Sequence, residues 1–424
     1  AFFGIQKSGA IYSPINYDYR GATLSYQIND TDPSLLIIED QYVSRLNDVK
    51  DDLAELPQVV VIGTEAESEP LDEAFDEMSF DQLLQGDPVR PEVTVEWDDI
   101  ASILYTSGTT GDPKGVVQQH RWVVSNYAEF SWKLQSPDDV THTSLPLYHV
   151  GGLYADIMGA LIAGAQVVIW DEFSSDQFWD RVDEYGATRA MLLSSMIPWL
   201  NNQPQQEDDH RNTLNKVTMV PLPEDHLDIA ERFGFDLVIS AYGSTEIGSV
   251  LAGIVRAAPG GTPDDLQRGM APETVISKAK EYGVPVIDEA PGKGWIGGSD
   301  WKPSVELAVV NDRDEFVDPG EVGELVGRPT QPGILFHEYD GKPEKTVEAW
   351  RNLWFHTGDA MYRDETGNYY FVDRIGTVIR RRGENISSGQ VQDIVNTHPD
   401  VDVSAAFPVP AEEGGEDEVA IAVE

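Results

Sequence analysis

Apolar residues in this chain gather into short runs, and the stretches between the runs carry helical spacing. LLIIED (35–40), VVVIG (59–63), SILYTS (102–107) and AQVVIWDE (165–172) predict buried strands. SDQFWDRVDEYG and the opening AFFGIQKSGA place apolar residues three and four apart, as a one-faced helix does. Strands alternating with helices predict a mainly parallel sheet covered by helices. DLVISAYGSTEIG (236–248) reads as a strand followed by a loop. The stretch from Ala257 to Gly298 is rich in glycine and proline and gives no clear assignment. Residues 304–329 read as antiparallel strands, with Asp318-Pro319-Gly320-Glu321 as a type II turn. The run 369–387 continues across a hinge, and the remainder reads helix, strand, strand.

Charge changes this picture most. The 424 residues hold 74 acidic side chains against 29 basic ones, a formal charge of −45. A hydrophobic content of 41% in regular runs opposes a disordered reading. The acid excess predicts a heavily hydrated surface suited to high salt, with an acidic interaction surface as the alternative. Duplex nucleic acid is excluded as a partner, since like charges repel. The chain has no cysteine, which removes disulfides, thiolate metal sites and cysteine nucleophiles. No apolar run reaches membrane-spanning length and no basic-then-apolar signal opens the chain, so the expectation is a cytoplasmic protein without membrane insertion.

Four stretches carry candidate chemistry. YTSGTTGDPKG, Tyr105 to Gly115, gathers hydroxyls, glycines and Lys114 at a strand end, a composition that converges donors on an anion. It is not the common P-loop, because Pro113 cannot donate an N–H and Gly115 stands where a hydroxyl is needed. An ordinary strand-to-helix turn is the plainer alternative. AYGSTEIG (241–248) combines an aromatic, a glycine turn, two hydroxyls and a carboxylate. It reads either as a turn with a core tyrosine or as a site. In a site, Tyr242 would stack on a base, Ser244 and Thr245 would donate to phosphate, and Glu246 would bind magnesium. In WFHTGDA (354–360), Asp359 could accept from two ribose hydroxyls or be a solvated turn residue. Arg374 and the triplet Arg380 to Arg382 concentrate positive charge in an acidic chain, which suits an anionic ligand.

Taken in order, these motifs resemble the adenylate-forming superfamily of acyl-CoA synthetases, luciferases and peptide-synthetase adenylation domains. LPLYHVGG (145–152) is similar to the segment lining that family's acyl site, and GENIS (383–387) to its CoA-ligase branch. Several segments look closest to crotonobetaine/carnitine-CoA ligases. The resemblance implies an α/β fold. A large domain over 1–375 would hold helix-covered, mainly parallel sheets and a small β-barrel-like part. A small, incomplete α+β domain over 376–424 would follow a hinge at Gly376. It further implies ATP, Mg2+ and coenzyme A acting on a small-molecule carboxylic acid, and leaves a homodimer open. Carried over, Ser107, Thr109, Thr110 and Lys114 hold the β- and γ-phosphates, within a cofactor-binding loop that includes Thr106, Gly108 and Gly111. Tyr242 stacks on adenine beside the cofactor-binding Gly243 and Ser244, with Thr245 at the α-phosphate and Glu246 on the magnesium. Asp359 and Arg374 hold the ribose, His149 borders the acyl carboxylate, and Gly383, Glu384 and Asn385 approach CoA.

Four departures accompany the resemblance. Gly376 and Thr377 replace the usual hinge pair, and VTMVPLPEDH (217–226) carries prolines where the adenine floor is glycine-rich. The chain reads as starting inside the large domain and stopping at Glu424 within the small one. No lysine follows Lys345, so the family's terminal adenylation lysine is expected beyond this sequence. Two alternatives stay open: adenylation with a non-CoA acceptor, and a nucleotide-binding module without turnover.

Overall fold

The computed structural model describes residues 1–64, 68–86, 91–106, 113–257, 261–375, 379–381, 384–386, 388–395, 398, 401, 404–410 and 417–423. Its centre is a seven-stranded sheet. The strands run, in spatial order, Val286–Ile287, Gly248–Arg256, Leu237–Ser244, Lys216–Val220, Arg189–Leu193, Val140–Thr143 and Gln166–Ile169. Every pairing is parallel except that between Leu237–Ser244 and Gly248–Arg256, which the three-residue turn Thr245 to Ile247 joins as a hairpin. A second parallel sheet is formed by Leu35–Glu39, Gln58–Ile62 and Glu77–Ser79. Helices cover these sheets for the reason the pattern gave. In Phe178–Tyr185 only Phe178 and Val182, four residues apart, are buried, and Gly186 in the left-handed region ends the helix.

One sheet departs from the parallel expectation, and another bears out the antiparallel strands read over 304–329. Ile100–Thr106, Lys114–Gln119 and Glu338–Tyr339 pair antiparallel, so SILYTS belongs to a hairpin rather than a crossover. A five-stranded antiparallel sheet takes the place of the expected barrel-like part. Its order is Trp295–Gly297, Tyr369–Arg374, Phe355–Arg363, Gly323–Pro329 and Val305–Val310. The predicted turn closes as expected, with Glu321 N–H donating to Asp318 C=O at 3.1 Å and Gly320 at φ 89°. Three of the four strands expected to be buried stand at sheet edges, and two of them are partly exposed, while Ile100–Thr106 is covered by the bridge from Tyr12 to Ser102. Leu35 is 42% exposed and Ile169 47%, because Leu35–Glu39 and Gln166–Ile169 each have a neighbour on one side only.

Beyond the large sheets, the C-terminal part follows the expected order of helix Ser388–Val395 and paired strands Ser404–Pro410 and Asp417–Val423. The proposed hinge at Gly376 lies outside the described residues. No described helix is long and apolar enough to cross a membrane.

Candidate active site

Three sheets converge on the motif residues. The strand Leu237–Ser244 is fully buried over its first four residues and half-buried over the last four, so it leaves the core just where Ala241 to Ser244 begin. Gly243 is required there. A Cβ on it would lie 2.2 Å from the Gly248 carbonyl oxygen, since the two arms of the hairpin touch at this point. The Ser244 hydroxyl oxygen accepts from the Glu246 and Ile247 N–H groups at 3.3 Å each, closing the turn. The backbone of the turn is pinned from outside: Gln118 donates to Thr245 C=O at 2.8 Å, and Phe336 N–H and Trp122 Nε1 donate to Glu246 C=O. Thr245 is 8% exposed and Glu246 half-buried.

We expect Gly243→Ala to disrupt this turn. The rigid clash is with backbone, so the cost should be about 1–3 kcal/mol or more, read as a lower denaturant midpoint. Gly63→Ala, where nothing lies within 4 Å, should leave the midpoint unchanged. Equal midpoints for the two variants would contradict the close approach.

One end of the site is a hydroxyl–carboxylate–guanidinium chain. Tyr242 OH donates to Asp359 Oδ2 at 2.5 Å, and Arg374 Nε lies 2.9 Å from Asp359 Oδ1. Asp359 and Arg374 face each other across the antiparallel pair Phe355–Arg363 and Tyr369–Arg374. Gly358, at φ 73°, turns the backbone so that its N–H donates to Glu324 Oε1 at 3.0 Å, while Asp359 N–H donates to the Thr357 hydroxyl at 3.1 Å. Burial pushes the Asp359 carboxyl up, and the Arg374 charge opposes that shift. Burial, then the Asp359 charge, raises the Tyr242 phenol well above its usual range, so it stays a donor.

The other end joins Lys114, Tyr339 and Glu246. Thr106 and Lys114 are cross-strand partners at the last rung of their hairpin. Lys114 Nζ sits 4.2 Å from the Tyr339 ring centroid, and Tyr339 OH donates to Glu246 Oε1 at 3.0 Å. Burial lowers the Lys114 pKa, and the Glu246 charge acts against that. The two ends share one field. Glu246 raises the Asp359 pKa, and the Arg374 charge reaches both Lys114 and Tyr339.

His149 stands apart, with no hydrogen bond or ion pair among the described residues joining it to either end. Its Nδ1 accepts from Gly151 N–H at 3.2 Å, which puts the proton of the neutral ring on Nε2. The ring is exposed by area, yet the protein walls around it desolvate it enough to lower its pKa, so the neutral form is favoured. It precedes the π-helix Gly151–Met158, a form that occurs often at functional sites. Ser107, Gly108, Thr109, Thr110, Gly111 and Gly383 lie outside the described residues. For Glu384 and Asn385 the structure gives backbone pairing only, opposite Arg381 and Arg380.

The family profile described as AMP-binding enzyme matches residues 1–334. The crotonobetaine/carnitine–CoA ligase of Salmonella enteritidis is 31% identical over 405 residues, covering 94% of this chain and 71% of that protein. The chain belongs to the AMP-binding enzyme family. The protein of the same name from Salmonella typhi matches at the same identity and coverage. Two solved structures share the fold. ATP-bound MatB from Rhodopseudomonas palustris superposes with a TM-score of 0.76 at 22% identity, covering all of this chain and 75% of that one. The anthranilate CoA ligase AuaEII in complex with anthranoyl-AMP gives 0.75 at 20% identity, covering all of this chain and 74% of that one. Within the family frame, Tyr339 is the contact residue that sequence reasoning missed.

Proposed function

We propose that the protein is an AMP-forming acyl-CoA ligase that activates a small carboxylic acid with ATP and passes the acyl group to CoA. The observation that carries this reading is the pairing of two unlike ends in one site. At one end, Asp359 held by Tyr242 and Arg374 suits a ribose, which offers hydroxyl donors. At the other, Lys114 and Glu246 suit polyphosphate and its counter-cation. Thr245 lies in the turn between them, where the α-phosphate belongs. The substrate carboxylate oxygen attacks the α-phosphorus, the bond to the bridging oxygen breaks, and pyrophosphate leaves with that electron pair. The CoA sulfur then attacks the acyl carbonyl and AMP departs. Neutral His149, with its proton on Nε2, would donate to the acyl carboxylate in this reading. In this reading Thr106, Ser107, Gly108, Thr109, Thr110 and Gly111 would serve the phosphates, and Gly383, Glu384 and Asn385 would serve CoA.

Magnesium fits the residues present. Among the described residues no group of three or more acidic or histidine side chains gathers, and Glu246 Oε2 has no hydrogen-bond partner. One carboxylate together with substrate phosphates is the usual way Mg2+ is held beside a nucleotide. Bound there, the ion would neutralise negative charge on the phosphate oxygens. The same reading places the protein in a salt-rich cytoplasm and divides it at Gly376 into domains 1–375 and 376–424.

The test follows pyrophosphate, CoA and thioester across a panel of carboxylic acids. Acid-dependent pyrophosphate release followed by CoA consumption is the expected result. A solved relative in fold, the amide bond synthetase McbA from Marinactinospora thermotolerans, has a TM-score of 0.70 at 21% identity and covers 99% of this chain and 75% of its own. Pyrophosphate release with capture of the adenylate by an amine or carrier protein, and none by CoA, would replace the ligase reading by that alternative.

A further inference from the structure

We propose that Tyr339 is a positioning residue for the phosphate end of the site: it orients Glu246 for a divalent cation and keeps Lys114 from neutralising it. This rests on the reading that Lys114 and Glu246 face nucleotide phosphates. Tyr339 stands between the two charges and touches both. Its hydroxyl donates to Glu246 Oε1, and its ring face receives Lys114 Nζ. Among the described residues no ion pair within 4.0 Å joins Lys114 to Glu246. A direct pair would cancel the positive charge needed by phosphate and the negative charge needed by a cation. A ring face holds an ammonium without cancelling its charge, and a phenol donor fixes one carboxylate oxygen while leaving the other for a ligand.

The tyrosine is held firmly enough to act this way. It is 3% exposed and lies on the short strand Glu338–Tyr339, paired with Val117 and Val116. Its N–H donates to the Thr346 hydroxyl at 3.0 Å, and its ring packs at 4.9 Å against Phe336. The following residues continue the brace. Asp340 N–H donates to Gly115 C=O at 2.8 Å, beside Lys114. Lys342 pairs with both oxygens of Asp30, which also accepts from Tyr105 OH at 2.9 Å. Thus the segment Tyr339 to Lys342 fixes the strand ends that carry Thr106 and Lys114.

Calorimetric titration of the protein with ATP, across a series of Mg2+ concentrations, tests the inference without turnover. Tyr339→Phe keeps the ring and loses only the hydroxyl. It should raise the Mg2+ concentration that half-maximally tightens ATP binding by about tenfold, as outer-sphere deletions do, with Mg2+-free ATP affinity unchanged. Tyr339→Leu removes the spacer, and Mg2+-free affinity should also fall as Lys114 closes on Glu246. Glu246→Gln provides the reference. If it shifts the Mg2+ response and Tyr339→Phe does not, the role of Tyr339 is wrong while the site stands. If Glu246→Gln leaves the Mg2+ response intact, the site reading itself fails. In the double variant, Tyr339→Phe should add no further Mg2+ shift to Glu246→Gln. An additive shift would mark Tyr339 as a packing residue only and overturn the proposal.

Discussion

Asp359→Ala should leave the protein folded and nearly unable to bind AMP. The side chain is 3% exposed, but its partners can do without it. Arg374 is 50% exposed on its side chain and would be solvated, and the Tyr242 ring, half-buried, would keep its packing. What disappears is an acceptor held from two directions. Hydrogen bonds to a charged group are worth about 1.5–3 kcal/mol each, and in the proposed site two ribose hydroxyls would share this one. A loss of about 2–4 kcal/mol corresponds to roughly thirty- to seven-hundred-fold in affinity. Asp359→Asn should fall between, since an amide oxygen still accepts from Tyr242 but no longer attracts Arg374. Isothermal titration with AMP, alongside a denaturant melt, separates binding from folding. Unchanged AMP affinity in a folded alanine variant would remove Asp359 from the site.

The second large effect concerns salt. With 74 acidic and 29 basic side chains, about 45 negative charges have no possible partner. The Debye length is about 10 Å at 0.1 M salt and about 3 Å at 1 M, so neighbouring surface carboxylates repel strongly only in dilute solution. Screening also weakens surface ion pairs such as Lys345 with Glu348, which opposes the benefit of salt. That loss is small, because exposed pairs contribute about 0–1 kcal/mol each. Repulsion therefore decides the sign, and the melting temperature should rise by on the order of 10 °C between 0.1 and 2 M KCl, several kcal/mol of relief. Differential scanning calorimetry at matched pH measures it. A midpoint that stays put, or falls, would reverse the reading of the acidic surface.

The site was legible where its residues combine unusual chemistry with a turn. Tyr242, Glu246, Asp359 and Arg374 stand in short motifs rich in glycine and hydroxyls, and the structure brings them together. Tyr339 was not legible, because FHEYDGKP offers only one tyrosine among charged residues, and its meaning depends on Lys114 and Glu246 far away in sequence. The helix Pro272–Glu281 was hidden for a different reason. It lies in a glycine- and proline-rich stretch, although proline at its first position, Glu273 in the first turn and Lys278 and Lys280 in the last are helix signals. The edge strands Leu35–Glu39 and Gln166–Ile169 show a third limit. Their composition records burial on the sheet faces and not the missing neighbour along one side.

The strand Leu237–Ser244 runs from the fully enclosed Val238 and Ile239 directly into Tyr242 and Gly243. No loop separates the deepest part of the molecule from the groups proposed to meet the nucleotide. Tyr242 therefore cannot wander without dragging a central strand, and its orientation is settled when the sheet forms. The entropy of ordering that half of the pocket is charged to folding rather than to the ligand. In the proposed site, a nucleotide arriving at Asp359 and Tyr242 would meet a surface already in place, and its binding energy would remain available for the chemistry at the phosphate end.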